Sequence, residues 1–487
     1  MQHLRQMRYV RFLALMVIVI ALSGGSSVVA QQPTQATLKQ FIDQALSDTA
    51  LVHGLQGVLI KSLKDDRTLY EHNSDLVFIP ASNFKIIVSS ASLDLLGPDY
   101  RFGTSLYMTG QPTPEGVLKG DLILVGGGDP VLKREHLGEM AAKLKSMGIK
   151  LVMGNVIGDD TRFDAARLGD GWCWDDEPYY YSAQISGLNL DENVVGVWVR
   201  PGSKVGDPAA VEVKPRTRYM MVRNECRTGA AGSEKTVFID RMRGHNVIRV
   251  FGSVPLDYKP TGAEEAITME EPTLFACWSF VDVLKDAGIT VRGRALRGKK
   301  PDDAQLVIAH ESPPMSEMIR LLNKPSDNLI AECLLKNLGA AISGKGTSNA
   351  GAEAEIEFLR KIGADVTAVK INDGSGLCRS NYIAPKNLLA ILTYMYRHKD
   401  SKAYIDSLPI AGVDGTLRNR MKGTAAERNV HAKTGYIGRV STISGYVTTK
   451  SGEPLVFSIM MNHHLCPNSG ATAIQNKILA ALANLEE

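Results

Sequence analysis

The sequence predicts an α/β, multidomain protein in which a sheet packed on helices is split along the chain by a long, mostly β insertion. Three observations carry this. At 487 residues the chain is too long for one simple core. Near both ends, apolar residues recur at helical spacing next to pairs of strand-like runs. Between about 100 and 296 that texture gives way to short strand-like runs broken by Gly, Pro and Asp. We therefore expect 31–100 and 297–487 to be two pieces of one domain, with 101–296 inserted between them.

Composition excludes several function classes. With 44% hydrophobic and 22% charged residues, the chain is an ordinary globular protein and no disorder is forced. Residues 1–30 read as a signal peptide: Arg5, Arg8 and Arg11 precede an apolar run from Phe12 to Leu22, and Val28-Val29-Ala30 offers a small-residue cleavage site. The run is short for a membrane span, and no later stretch comes close to one. Cleavage would place the protein in the periplasm or another extracytoplasmic space. Without those three arginines the 55 basic residues fall level with the 52 acidic ones, so a basic footprint for nucleic acid is missing. Cys173, Cys226, Cys277, Cys333, Cys378 and Cys466 include no CxxC pair. Zinc spacing is therefore absent, no disulfide can be assigned, and each is read as a small buried hydrophobe.

Taken in order, Thr34 to Asp48 carries Leu38, Phe41, Ile42, Ala45 and Leu46 at amphipathic helical spacing. Gly57–Ile60 and Arg67–Tyr70 flank the turn Lys64-Asp65-Asp66 as a hairpin. Pro80 then opens a buried helix that Gly97-Pro98 stops, with Phe84, Ile87, Val88, Ala91 and Leu95 on its apolar positions. In the insertion, Arg134–Met147 reads as a helix and Leu151–Ile157 as a strand. Gly171-Trp172-Cys173-Trp174-Asp175-Asp176-Glu177 is an aromatic and acidic loop whose tryptophans are expected to pack. Short strands follow at Val194–Val199, Val211–Val213, Val237–Ile239 and Val247–Phe251, then a helix from Leu274 that Gly288 ends. Helices at Met315–Leu322 and Leu329–Leu338 flank a short connection. The last third holds a helix at Pro385–Tyr396, a hairpin of Arg439–Val447 with Leu455–Met461, and a closing helix at Ala473–Leu485.

Chemistry concentrates in three motifs. Ser82 and Lys85 stand three apart on the first turn of the buried helix, so a hydroxyl and an ammonium share one face. Alone that is weak, since Ser commonly caps helices and Lys is an ordinary surface residue. Far downstream stand Ser326-Asp327-Asn328, between two helices, and Lys433-Thr434-Gly435, opening the last hairpin. The order SxxK, SxN, KTG is the signature set of penicillin-recognising serine enzymes.

With these motifs the chain resembles the D-alanyl-D-alanine carboxypeptidase/endopeptidases, the class C low-molecular-mass penicillin-binding proteins. Gly120-Asp121-Leu122 through Gly128-Asp129-Pro130, Gly171 through Asp176, Asp373-Gly374-Ser375-Gly376-Leu377 and Lys433 through Gly445-Tyr446 are similar to that family's other landmarks. The resemblance covers nearly all the chain after the signal segment. It implies a β-lactamase/transpeptidase-like domain, helices on both faces of an antiparallel sheet, with a two-part insertion between SxxK and SxN. It also implies peptidoglycan stem peptides as substrate, acylation by β-lactams, and no metal or organic cofactor; homo-oligomerisation is left open. Two positions depart from the family pattern: Tyr436 stands where Thr or Ser usually follows Lys-Thr-Gly, and Cys378 follows Asp-Gly-Ser-Gly-Leu.

The residue chemistry gives each group a role. Ser82 needs a base and no histidine accompanies any motif, so Lys85 is the candidate, its pKa lowered by burial and by the cation Lys433. Ser326 can pass a proton to the leaving amine, and Asn328 can hold both Lys85 and the substrate amide. The resemblance implies that backbone N–H groups of Ser82 and Tyr436 bind the oxyanion, since they occupy the positions such enzymes use. Lys433, Thr434 and Gly435 would meet the substrate's carboxylate end. Asp175 would meet a cationic group of the stem peptide. Two alternatives compete with this reading: a catalytically silent wall-binding protein of the same fold, and a serine β-lactamase.

Overall fold

The computed structural model describes residues Thr34–Glu486. The signal peptide expected at 1–30 lies outside the described residues. Among those described, no helix is long and apolar enough to cross a membrane.

Five strands form one antiparallel sheet: β1 (Leu55–Ser62), β2 (Thr68–His72), β3 (His431–Ile437), β4 (Val440–Thr448) and β5 (Pro454–Asn462), in the spatial order β2-β1-β5-β4-β3. Alternation along the strands divides two cores, as a pleated sheet requires. On one face Val58, Ile60, Phe457 and Ile459 pack against α1 (Gln35–Leu46) and the C-terminal helix Asn468–Ala483. On the other, Leu59, Val456 and Met460 meet the core built on α2 (Lys85–Leu96). Helices on both faces of an antiparallel sheet are thus the observed architecture. From Lys85 to Leu93 every residue of α2 is buried, so this helix has no polar stripe and sits in the middle of its layer.

Between the two pieces of this sheet lies the inserted region, with a core of its own running from Leu106 to Ile289. Its largest sheet is mixed, in the order Ala295–Arg297, Val156–Asp159, Leu122–Gly126, Gly103–Met108, Gln305–Glu311. By strand pairing the inserted body therefore reaches Glu311 rather than 296, because Gln305–Glu311 pairs with Gly103–Met108. The single strand expected at Leu151–Ile157 is two, Leu151–Val152 and Val156–Asp159, in different sheets. Gly154 stands at the crossing, where a Cβ would come within 2.3 Å of the Gly120 carbonyl oxygen. Smaller sheets and the helices Arg134–Ser146 and Pro272–Asp286 complete the region.

After the insertion, Met315–Asn323 and α3 (Asn328–Ser343) follow, and a helix at Ser348–Lys361 that apolar spacing did not announce packs on α3 through Ala350, Ala354 and Phe358. The inserted region docks on α3: Lys336 Nζ meets Asp164 at 2.6 Å, and Asn337 Nδ2 donates to the Gly128 carbonyl at 3.2 Å. Four cysteines are buried as expected, but Cys173 is exposed and Cys466 partly so. Trp172 packs, whereas Trp174 is exposed to solvent, so the loop between them turns outward.

Candidate active site

Ser82 stands on a 3-10 turn, Ala81–Phe84, that leads into α2. The sheet pins this turn from beneath. Thr442 Oγ1 donates to the Pro80 carbonyl at 2.7 Å, Asn83 Nδ2 to Ser444 Oγ at 2.8 Å, and Asn462 Nδ2 to the Ile79 carbonyl at 3.1 Å. Gly435 on the edge strand β3 comes so close that a Cβ would lie 2.3 Å from Thr442 Oγ1 and 2.6 Å from the Pro80 carbonyl oxygen. Only glycine lets strand and turn meet there. Ala81 is held at a left-handed φ of 46°, as is Ser326 at 68°. Such backbone costs of order 1–3 kcal/mol, and a rigid surround must maintain it.

One turn on, Lys85 is fully buried with its Nζ between three acceptors. Ser82 Oγ lies at 3.0 Å, Asn328 Oδ1 at 2.6 Å and the Ser375 carbonyl oxygen at 2.7 Å. The last two can only accept, so they take two N–H groups. The third direction, toward Ser82, holds an N–H in the ammonium and a lone pair in the amine. A lone pair aimed at a serine hydroxyl is the geometry of a general base.

Asn328 is the first residue of α3, whose N-cap Asp327 accepts from the Ile330 N–H at 2.8 Å. Its Nδ2 donates to the Tyr181 carbonyl at 2.7 Å, so a residue of the inserted region fixes which way the amide faces. Lys433 on β3 is also fully buried; its Nζ donates to Ser326 Oγ at 2.8 Å and to the Thr434 carbonyl at 2.9 Å. Thr434 Oγ1 and Thr416 Oγ1 share a hydrogen bond at 2.6 Å.

The two lysines are not electrostatically alike. Burial lowers Lys85 to about 8, opposed by the charges of Asp373, Asp327 and Glu332. That departure from 10.5 corresponds to about 3 kcal/mol of lost preference for the ammonium. Lys433 is pushed well below the ordinary range by burial and then by Lys85, with no carboxylate to offset it. Burial disfavours both ammoniums; carboxylates offset it at Lys85, whereas the charge acting on Lys433 is that of Lys85.

Those carboxylates were not legible as site residues. Glu332, four residues after Asn328 and fully buried, has Oε1 accepting from the Gly374 N–H at 3.1 Å and the Ser375 N–H at 2.8 Å, which turns the Ser375 carbonyl toward Lys85. Burial first and Asp373 second push its carboxyl up to about 7. Asp373 receives the N–H groups of Gly376 and Cys378 at 2.7 and 2.6 Å, and Trp172 Nε1 at 2.9 Å. Cys378 is buried at this turn, as a structural residue would be. Glu355 is buried with neither oxygen partnered, and burial holds its carboxyl well above the usual range.

Above these groups opens a cavity of about 630 Å³ lined by Ser82, Ser326, Asn328, Thr434, Tyr436 and Asp175, among others. Lys85, Lys433 and Gly435 lie beneath its floor. Tyr436 is 59% exposed. Asp175 is exposed, while its neighbour Asp176 accepts from the Tyr181 hydroxyl at 2.9 Å. The candidate site residues thus line this cleft or lie beneath its floor, together with Tyr181 and Thr416 in the lining, which were not singled out.

Residues 38–485 match the D-Ala-D-Ala carboxypeptidase 3 (S13) family. The chain belongs to this family. It is 39% identical over 460 residues to a D-alanyl-D-alanine carboxypeptidase of Actinomadura sp. (strain R39), covering 92% of this chain and 84% of that protein. To the D-alanyl-D-alanine carboxypeptidase DacB of Haemophilus influenzae it is 28% identical, covering 83% and 85%. Among solved structures, penicillin binding protein 4 (dacB) from Haemophilus influenzae superposes with a TM-score of 0.80 at 26% identity, over 91% of this chain and 98% of that one. This carboxypeptidase is therefore a serine peptidase in which the SxxK, SxN and KTG motifs converge on one cleft.

Proposed function

We propose that this carboxypeptidase removes the terminal D-Ala of peptidoglycan stem peptides, and cuts D-Ala cross-links between them, through an acyl-enzyme on Ser82. The observation that carries the reading is the Ser82–Lys85 pair at 3.0 Å, with Lys85 anchored by two obligate acceptors. β-Lactams would acylate Ser82 as substrate mimics. The relatives' carboxypeptidase names and a solved β-lactam complex of the Haemophilus influenzae protein support this reading.

In the acylation step Lys85, as the amine, takes the Ser82 proton while Oγ bonds to the carbonyl carbon. The oxyanion is held by backbone N–H groups of Ser82 and Tyr436. The intermediate collapses as the C–N bond breaks, and the proton reaches the leaving nitrogen through Ser326. Water then hydrolyses the ester and restores Ser82. The substrate's carboxylate, received by Thr434 and Thr416, stabilises the ammonium of Lys433. A second ammonium beside Lys85 then disfavours the charged form of Lys85, so binding itself frees the base. Glu332 acts through the Ser375 carbonyl as a positioning residue. Asp175, exposed on the rim, meets a cationic end of the stem peptide, and the inserted region shapes access without carrying acyl chemistry.

The basic, apolar and small-residue leader at 1–30 supports export, which brings the enzyme to its polymer. The same fold could serve a silent wall-binding protein or a β-lactamase, but a binder has no use for a buried Ser-Lys pair. One experiment tests all three: intact mass after penicillin, then cross-linked and uncross-linked muropeptides with products resolved by mass. A slowly released adduct on Ser82 with loss of D-Ala is expected. No adduct would favour the silent binder, and rapid adduct turnover the β-lactamase.

A further inference from the structure

The site has a second hollow that the mechanism above leaves unused. A cavity of about 750 Å³ shares Tyr180, Pro325 and Ser326 with the first and otherwise has its own lining. Val131, Leu321 and Ile330 give it apolar surface, and Arg101 and Lys133 beside Glu192, Glu311 and Asp327 give it charge of both signs. Arg101 spends one N–H on the Ser312 carbonyl at 2.7 Å, and its Nε stands 4.0 Å from a Glu311 carboxylate oxygen, so its remaining donors are open to the cavity. Lys133 is held by Glu192 at 2.7 Å.

We propose that this second cavity is a leaving-strand subsite, which receives the second stem peptide of a cross-link and thereby sets endopeptidase against carboxypeptidase action. The inference rests on the proposed function. A cross-link is two peptides joined at the scissile bond, so a bound cross-link has two arms that diverge from the reacting carbonyl. The first cavity carries Asp175 and Tyr436 for the acyl arm, and Thr434 and Thr416 for the carboxylate of the leaving residue. The amine departs past Ser326, the residue placed to protonate it, and Ser326 is where the second cavity begins. A single leaving D-Ala needs no such room. A leaving peptide does, and about 750 Å³ lies within the range of small-ligand sites. Its alanine methyls suit the apolar wall, and its mixed charges suit a lining that sets Arg101 and Lys133 beside Glu192 and Glu311.

The test is the ratio of kcat/KM for a cross-linked muropeptide dimer to that for an uncross-linked pentapeptide, in wild type, Arg101→Gln, Lys133→Ala and the cavity-filling Val131→Trp. The expected result is a ratio at least about tenfold lower in each variant, the scale of one lost charge-assisted hydrogen bond, with penicillin acylation unchanged. A ratio that stays constant in all three, whether both activities fall or neither does, overturns the subsite. A wild-type enzyme that cleaves the pentapeptide but not the dimer overturns it too, and leaves the carboxypeptidase reading intact. Loss of that reading would show separately, as wild-type protein that takes no penicilloyl adduct and cleaves neither substrate.

Discussion

Lys85 and Lys433 come from opposite sides of one cleft, both fully buried, yet they sit in different surroundings. Lys85 has three acceptors around its nitrogen and three carboxyl groups in its field. Lys433 has two acceptors, and the charge acting on it is that of Lys85. Burial disfavours both ammoniums, and the carboxylates relieve only one of them. On the proposed mechanism, a substrate carboxylate that favours the Lys433 ammonium disfavours the Lys85 ammonium and so frees the base.

The largest expected effect comes from breaking the Lys85 side. Ser82→Ala should take no penicilloyl adduct by intact mass. Lys85→Arg keeps a cation but has no accessible neutral form, so acylation should fall by about a hundredfold or more in stopped-flow measurements. In wild type, the second-order acylation rate should rise with pH through about 8 and fall below it, since only neutral Lys85 can accept the proton.

Changing the other side should be milder and should sharpen the contrast. Lys433→Arg installs a permanent cation beside Lys85, which lowers the Lys85 pKa. The acid limb of the acylation profile should then move to lower pH, with about a tenfold loss at the plateau from a poorly seated carboxylate. Glu332→Gln is subtler. Its Oε1 already accepts both N–H groups, so the amide can keep the Ser375 turn while removing a charge that favours ammonium at Lys85. The acid limb should move to lower pH with plateau rates within about tenfold, whereas Glu332→Ala should lower the plateau as well.

Smallest of all, Asp175→Asn should leave penicillin acylation unchanged and lower kcat/KM for stem peptides with a free cationic group by about two- to fivefold, the scale of an exposed ion pair. Equal effects on substrates with and without that group would remove Asp175 from recognition.

Much of this comparison was legible in the sequence because motif residues are local. Ser82 and Lys85 are spaced by a helical turn, Asn328 opens a helix that Asp327 caps, and Lys433-Thr434-Gly435 stands next to the last hairpin. What was hidden is long-range. Glu332 reads as one more polar residue of an apolar helix, and nothing near it in sequence announces that the turn at Gly374 and Ser375, over forty residues on, will fold onto it. The Tyr181 carbonyl that orients Asn328 lies 147 residues away and offers no side-chain signal at all. Strand Gln305–Glu311 is mostly exposed or half-buried and pairs with chain some two hundred residues earlier, so neither alternation nor a turn marked it. Helix Ser348–Lys361 hides because four of its six buried residues, Ala350, Gly351, Ala354 and Glu355, are small or charged.

The most direct test is an NMR titration of ¹⁵N-lysine-labelled Ser82→Ala protein, with Lys85 and Lys433 assigned by their arginine variants, free and with a D-Ala-D-Ala peptide bound. The account predicts that both lysines titrate below the ordinary lysine range in the free protein, and that the bound carboxylate moves Lys433 up and Lys85 down. A free protein in which both titrate in the ordinary range, or a bound peptide that leaves both lysines unmoved, would contradict it.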